Sequence, residues 1–113
     1  MDVTELEPAE REALYVALAH LSAADGRISD GETAEIAALA DEMEEPDLPD
    51  LVTKALSDHP ELDDLRAIVS KVERDDAREL IRTLLFDLAH SDGERGEQEN
   101  DVLDAITRQW ARD

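Results

Sequence analysis

Apolar positions along the chain recur every three or four residues in six stretches, each closed by a stop signal, which is the period of amphipathic helices. The first predicted helix opens at Thr4, with Glu7 three residues on completing a capping box and Pro8 in the first turn. Its stripe is Leu14, Ala17, Leu18 and Leu21, and Asp25-Gly26 ends it. Ser29 and Glu32 form a second capping box, and the helix they open carries Ile36, Leu39, Ala40 and Met43 at i, i+3, i+4 and i+7. Pro46 breaks the chain within Glu44 to Asp47, because a proline disfavours helix at the residue before it. A third stripe, Leu48, Leu51, Val52, Ala55 and Leu56, is closed by His59-Pro60. A fourth runs through Leu62, Leu65, Ile68, Val69 and Val72 before the charged run Glu73 to Asp76. The strongest stripe follows, Ala77, Leu80, Ile81, Leu84, Leu85 and Leu88, and Asp92-Gly93 ends it. The last helix starts near Gly96 or Glu97 and carries Val102, Leu103, Ile106 and Trp110.

No segment has the two-residue alternation of a strand, and no low-complexity linker divides the chain. The expected fold is all-α, one compact multihelical domain of about six helices over residues 1–113. A shift of 67 residues adds an internal symmetry. It lays Leu18 on Leu85, Leu21 on Leu88, Asp25-Gly26 on Asp92-Gly93 and Glu32 on Glu99. Further along it lays Ile36 on Leu103, Leu39 on Ile106 and Met43 on Trp110. Core periodicity alone does not align two Asp-Gly pairs and two glutamates, so the expectation is a duplication. Its two pseudo-repeated three-helix halves, about 8–57 and 61–110, would pair about a pseudo-two-fold axis.

Each turn of the repeat reads Asp-Gly-x5-Glu. Glycine takes the positive φ that ends a helix, and the hairpin can bring together the aspartate before it and the glutamate that opens the next helix. Two carboxylates so placed are oxygen ligands for a hard divalent cation such as Ca²⁺ or Mg²⁺. They also have a purely structural use, because Glu32 completes a capping box with Ser29 and Glu99 favours the dipole of its own helix. Both readings stay open on these residues, with Asp25, Glu32, Asp92 and Glu99 as the candidate ligands. The pattern is not an EF-hand: Gly26 to Glu32 has that loop's Gly-to-Glu spacing, but its first and third positions would be Leu21 and Ala23, or Leu88 and His90. His20 and His90 do not superpose in the repeat and read as helix-edge or surface residues, His59 reads as a loop residue, and Trp110 as a core or interface anchor.

Charge narrows the partners. Asp and Glu total 31 against 11 Lys and Arg, a net charge of −20, and the cations are nine Arg with only Lys54 and Lys71. Such a surface repels itself at low ionic strength, and salt near ~1 M, with a Debye length of about 3 Å, removes most of that repulsion. An Asp-rich, Lys-poor surface of this kind suits a salt-filled cytoplasm. No basic patch is present to displace counterions from a nucleic acid, so nucleic-acid binding is not expected. Cations and basic protein surfaces are the natural partners. No apolar run approaches the ~18 residues of a membrane span, the acidic N-terminus lacks the order of a signal peptide, and cysteine is absent. A cytoplasmic, non-membrane protein is expected. No nucleophile triad or phosphate loop is present, so no catalytic residue is assigned; an enzyme built on paired carboxylates would need a pocket holding both with raised pKa.

Ala23-Ala24-Asp25-Gly26-Arg27-Ile28-Ser29-Asp30-Gly31-Glu32, running on to Ile36, resembles the motif of the TerB-like tellurite-resistance family: Ala-Asp-Gly, a short spacer, then Glu and an apolar helix, in two copies. Leu88 to Glu99 resembles the second copy, and Glu73 to Arg78 the charged start of the helix before it, so the likeness spans roughly residues 8–110. Ser91 stands where Ala is usual, and Gly96 replaces a cap residue. The resemblance implies an all-α fold of two related halves and a non-enzymatic cytoplasmic role in stress resistance, as a scaffold in a complex at the membrane. It further implies metal binding at Asp25, Glu32, Asp92 and Glu99. The alternative is an acidic helical adaptor that binds a basic protein partner without metal.

Overall fold

The computed structural model describes residues 3–23, 30–89 and 97–112, with 30–32, 89, 97–100 and 112 described in their backbone only. After one turn of 3-10 helix at Val3–Glu5, six helices follow: α1 Pro8–Ala23, α2 Asp30–Met43, α3 Leu48–Asp58, α4 Leu62–Val69, α5 Asp75–Ala89 and α6 Glu97–Arg112. Among the described residues there is no strand, and the all-α expectation holds.

The chain wraps around α1. Ten of its sixteen residues are buried, and α3, α4, α5 and α6 all pack on it. A helix enclosed in this way has to be apolar on nearly every side, and the run Ala13-Leu14-Tyr15-Val16-Ala17-Leu18-Ala19 supplies that. The buried apolar set therefore exceeds the predicted stripe by Ala13, Val16 and Ala19, and Glu10, His20 and Ser22 are buried as well. The other helices bury one face each. On α5 this is Ala77, Ile81, Leu85 and Leu88; on α6 it is Val102, Leu103, Ala105, Ile106 and Trp110. The α2 helix lies against α3, α5 and the N-terminal turn, while α6 lies against α1, α4 and α5.

Two predicted boundaries shift. The first helix starts at Pro8 rather than Thr4, because Pro8 biases Glu7 away from helical angles and is itself suited to the first helical position. Glu7 is then the cap residue, and its N–H donates to the Glu10 carboxylate at 2.7 Å, which is the returning half of a capping box one turn later than expected. At the other boundary, α4 ends at Val69. Val72 lies past it in a turn whose N–H reaches the Val69 carbonyl at 3.0 Å, yet Val72 is fully buried.

The end of α2 has a clear local cause. The Glu45 N–H bonds the Ala40 carbonyl and the Glu44 N–H bonds that of Asp41, the paired bonds of a Schellman cap. Glu44 occupies its left-handed position with φ of 57°, and Pro46 prevents the helix from resuming. At the far end of the molecule, Trp110 is 5% exposed, and its indole N–H donates to the Val69 carbonyl at 2.8 Å, tying α6 to α4. The guanidinium groups of Arg78 and Arg82 lie 5.8 and 5.9 Å from the centre of its ring. Trp110 is thus a core anchor, the first of the two roles expected for it.

Replacing Glu44 by glycine removes the cost of a left-handed L-residue but loosens the unfolded chain, for a net gain of about 0.5–1 kcal/mol; chemical denaturation of Glu44→Gly reads it as a higher midpoint. Trp110→Phe deletes the indole donor while Val69 keeps its bond from Val72, so the same measurement should show a loss of about 1 kcal/mol.

Candidate functional site

The helices that flank the two Asp-Gly-x5-Glu motifs begin at matching positions of the sequence. Helices α1 and α5 open at residues 8 and 75 and helices α2 and α6 at 30 and 97, both pairs 67 apart. Glu32 and Glu99 are each the third residue of their helix. Asp25 and Asp92 lie outside the described residues, as do the side chains of Glu32 and Glu99. Among the described residues, no group of three or more His, Asp or Glu is placed to hold a metal ion.

Around the matching frame, the two sides differ. Where α5 crosses α2, a cleft of about 90 Å³ opens. Its floor is apolar, from Leu18, Ile36, Leu39, Leu84 and Leu88, and Glu35, Glu42 and Asp87 stand around it. The shift of 67 residues places Val102, Gln109 and His20 at the positions of Glu35, Glu42 and Asp87. On that side Val102 is buried and His20 is only 9% exposed. The His20 Nε2–H donates to the His59 carbonyl at 2.8 Å. His20 is therefore a buried tie between α1 and the α3–α4 link, which corrects the expectation of a helix-edge or surface residue. His90 lies outside the described residues.

The second opening, between the start of α5 and the end of α6, is about 410 Å³. Arg78 and Arg82 share it with Asp75 and Glu79, so opposite charges balance there. Arg78 is held in place, its Nε donating to the Val72 carbonyl at 2.8 Å.

One buried acid escaped the sequence reading. Glu10 is 3% exposed. Besides the Glu7 N–H, its carboxylate accepts Arg74 Nε at 2.8 Å on Oε2 and Arg74 Nη2 on Oε1. Hydrogen bonding from Arg74 holds the Glu10 carboxyl below its ordinary value of 4.5, against the upward push of burial. Arg74 is correspondingly raised. A general acid needs the opposite shift, so this pair is architectural: Arg74 also donates to the Glu5 carbonyl at 3.2 Å and fastens the N-terminal turn. Arg11 does the same from the other flank. It donates to the carbonyls of Leu6 and Thr4 and, at 2.8 Å, to Glu45, which also accepts the Tyr15 hydroxyl at 3.1 Å. Burial, reinforced by the Glu45 charge, raises the Tyr15 phenol. Only the Pro8-x-Glu10 spacing signals any of this in the sequence, since Arg74 stands 64 positions from Glu10.

Fold and frame define the class: an all-α protein in which helices α1 and α5, and α2 and α6, begin 67 residues apart. The model of the family described as "Tellurite resistance protein TerB" matches residues 11–110. The chain belongs to the TerB family, as the duplicated Asp-Gly motif implied. No match was found among curated proteins or among solved structures. No described helix is long and apolar enough to cross a membrane.

The depressed carboxyl gives Glu10 a definite pH signature. Its stabilisation is complete above the unfolded value near 4.5 and is lost as the pH falls through the lower folded value. In denaturation across pH, Glu10→Gln should be less stable than the parent by a constant margin at neutral pH. That margin should shrink as the pH drops below 4.5; a margin that persists unchanged in acid would show that the charge is irrelevant.

Proposed function

We propose that the protein serves a tellurite-resistance-type stress response by binding rather than by catalysis. In this reading it works in the cytoplasm and takes a divalent cation, Ca²⁺ or Mg²⁺, at its acidic hairpins. Membership of the TerB family supports the first part. The observation that carries the second is the shared register of Glu32 and Glu99, each at the third position of a helix that follows an Asp-Gly turn. All four candidate ligands, Asp25, Glu32, Asp92 and Glu99, offer oxygen donors only, which is the chemistry that hard cations select. Any such site works against strong screening in a salt-rich medium, so two carboxylates within one hairpin matter more than the overall charge. By sequence, Ser29 is a candidate cap in the first motif, where Gly96 stands in the second, so the cation reading favours the first.

The alternative, an acidic adaptor acting without metal, draws support from the acid-rimmed cleft between α2 and α5.

Titration calorimetry with Ca²⁺ and Mg²⁺ in high salt tests the cation reading. The expected result is saturable binding at about micromolar Kd, near −8 kcal/mol, abolished by Asp25→Asn with Glu32→Gln and reduced by Asp92→Asn with Glu99→Gln. Absence of saturable binding for every divalent cation tried would end it.

A further inference from the structure

The cleft between α2 and α5 combines three properties. It is small: about 90 Å³ is far below the ~300–1,000 Å³ of pockets that enclose small-molecule ligands, and suits one aliphatic side chain. Its floor is apolar and belongs to the core. Among the described residues its charged lining is acidic: Glu35, Glu42 and Asp87. None of the three is ion-paired among the described residues.

Beside the cleft, α2 presents an uncovered face of small residues. Ala34, Ala37 and Ala38 are exposed, and Glu35, Ala38 and Glu42 follow one line along the helix at i, i+3 and i+7. The equivalent line of α6, at Val102, Ala105 and Gln109, is the one against which α6 finds its neighbours: Val102 and Ala105 are buried. The same face of the same helical frame is thus closed by packing in one hairpin and open in the other. Small side chains allow a second helix to approach closely, because interaxial distance follows the residues at the contact.

We propose that this cleft is the docking site for an amphipathic helical segment of a partner protein. One aliphatic side chain of that segment enters the floor at Leu39, Leu84 and Leu88, and flanking Lys or Arg residues meet Glu35, Glu42 and Asp87. The proposal rests on the adaptor reading and not on the cation reading. Charge complementarity selects the occupant. A second copy of this chain, with its net charge of −20, and a nucleic-acid backbone are both repelled by the rim. An apolar anchor lying in a groove with charges around it is a recurrent mode of helix recognition.

The test uses the whole protein and a short synthetic amphipathic peptide of Leu and Lys, with excess chelator so that no cation takes part. Amide NMR shifts should concentrate on residues 35–42 and 84–88. A peptide of equal charge with Ala in place of Leu should bind about tenfold or more weakly, the scale of one buried leucine side chain. Ala38→Trp, at an exposed position, should keep the parent's circular dichroism and melting curve while weakening the Leu peptide by a similar factor. Asp50→Lys, on α3 and outside the cleft lining, should leave that binding within about twofold, because a charge remote from the cleft is screened at physiological salt. The proposal is overturned if the Leu and Ala peptides bind alike, if the shifts spread over the acidic surface at large, if Ala38→Trp folds and binds like the parent, or if the chelator abolishes binding. Failure of the calorimetric test leaves these outcomes unchanged, so the two readings stand or fall separately.

Discussion

Everything in this fold depends on enclosing α1. In a chain of 113 residues with 37% charged side chains, one helix is buried on most of its surface and four others pack on it. Alanine makes the enclosure possible. Ala13, Ala17 and Ala19 sit among Leu14, Val16, Leu18 and Leu21, so neighbouring helices come near enough to bury every residue from Val16 to Ser22, while Glu12 in the first half stays exposed. Apart from Glu10, the described acids lie exposed or half-buried. Repulsion among them is then spread over the periphery, where salt screens it, rather than set against the core.

Enclosure leaves the chain ends to be fastened, and this task falls to arginine. Arg11 and Arg74 bond the carbonyls of Thr4, Leu6 and Glu5 while each also holds a glutamate. Arg78 bonds the Val72 carbonyl and stacks on Trp110. Each guanidinium makes several directed bonds at once, which an ammonium group cannot do in one plane. The preference for nine Arg over two Lys therefore has a structural component alongside the surface one: scarce cations are spent where one side chain joins two or three segments.

Most helices were legible because their signals are local. Stripes at three- and four-residue spacing and the breakers Pro46 and Pro60 are read within one turn of the residue they affect. The errors share a different cause. His20 reads as an edge residue because its partner, the His59 carbonyl, is 39 positions away. Glu10 carries no mark of burial in the sequence because its partner, Arg74, is 64 positions away. The extra burial on α1 was hidden because alanine counts weakly in an apolar pattern. Glu44 holds a position where glycine is the usual sign, so only Pro46 announced the stop. At the candidate site, the motif, its spacing and its place at two helix starts were all readable; the cleft was not. Periodicity says which face of a helix is apolar, but not whether anything covers it. Ala38 and Ala105 hold equivalent positions 67 residues apart, yet Ala38 is exposed and Ala105 is buried.

That inequality separates α2 from α6 in how far each is committed to packing. Helix α6 is taken up by packing: it lies on α1, α4 and α5 and ends in Trp110, whose hydrogen bond to Val69 and two stacked arginines leave its inner face no freedom. Helix α2 has α3, α5 and the N-terminal turn for neighbours and ends in a strained cap at Glu44. Its Ala38 face and its share of the cleft stay open. A segment that must respond to a ligand or receive a partner is drawn from the less committed parts of a structure. By that criterion α2, with its exposed Ala38 line, is the less committed of the two helices, and α6 the more committed.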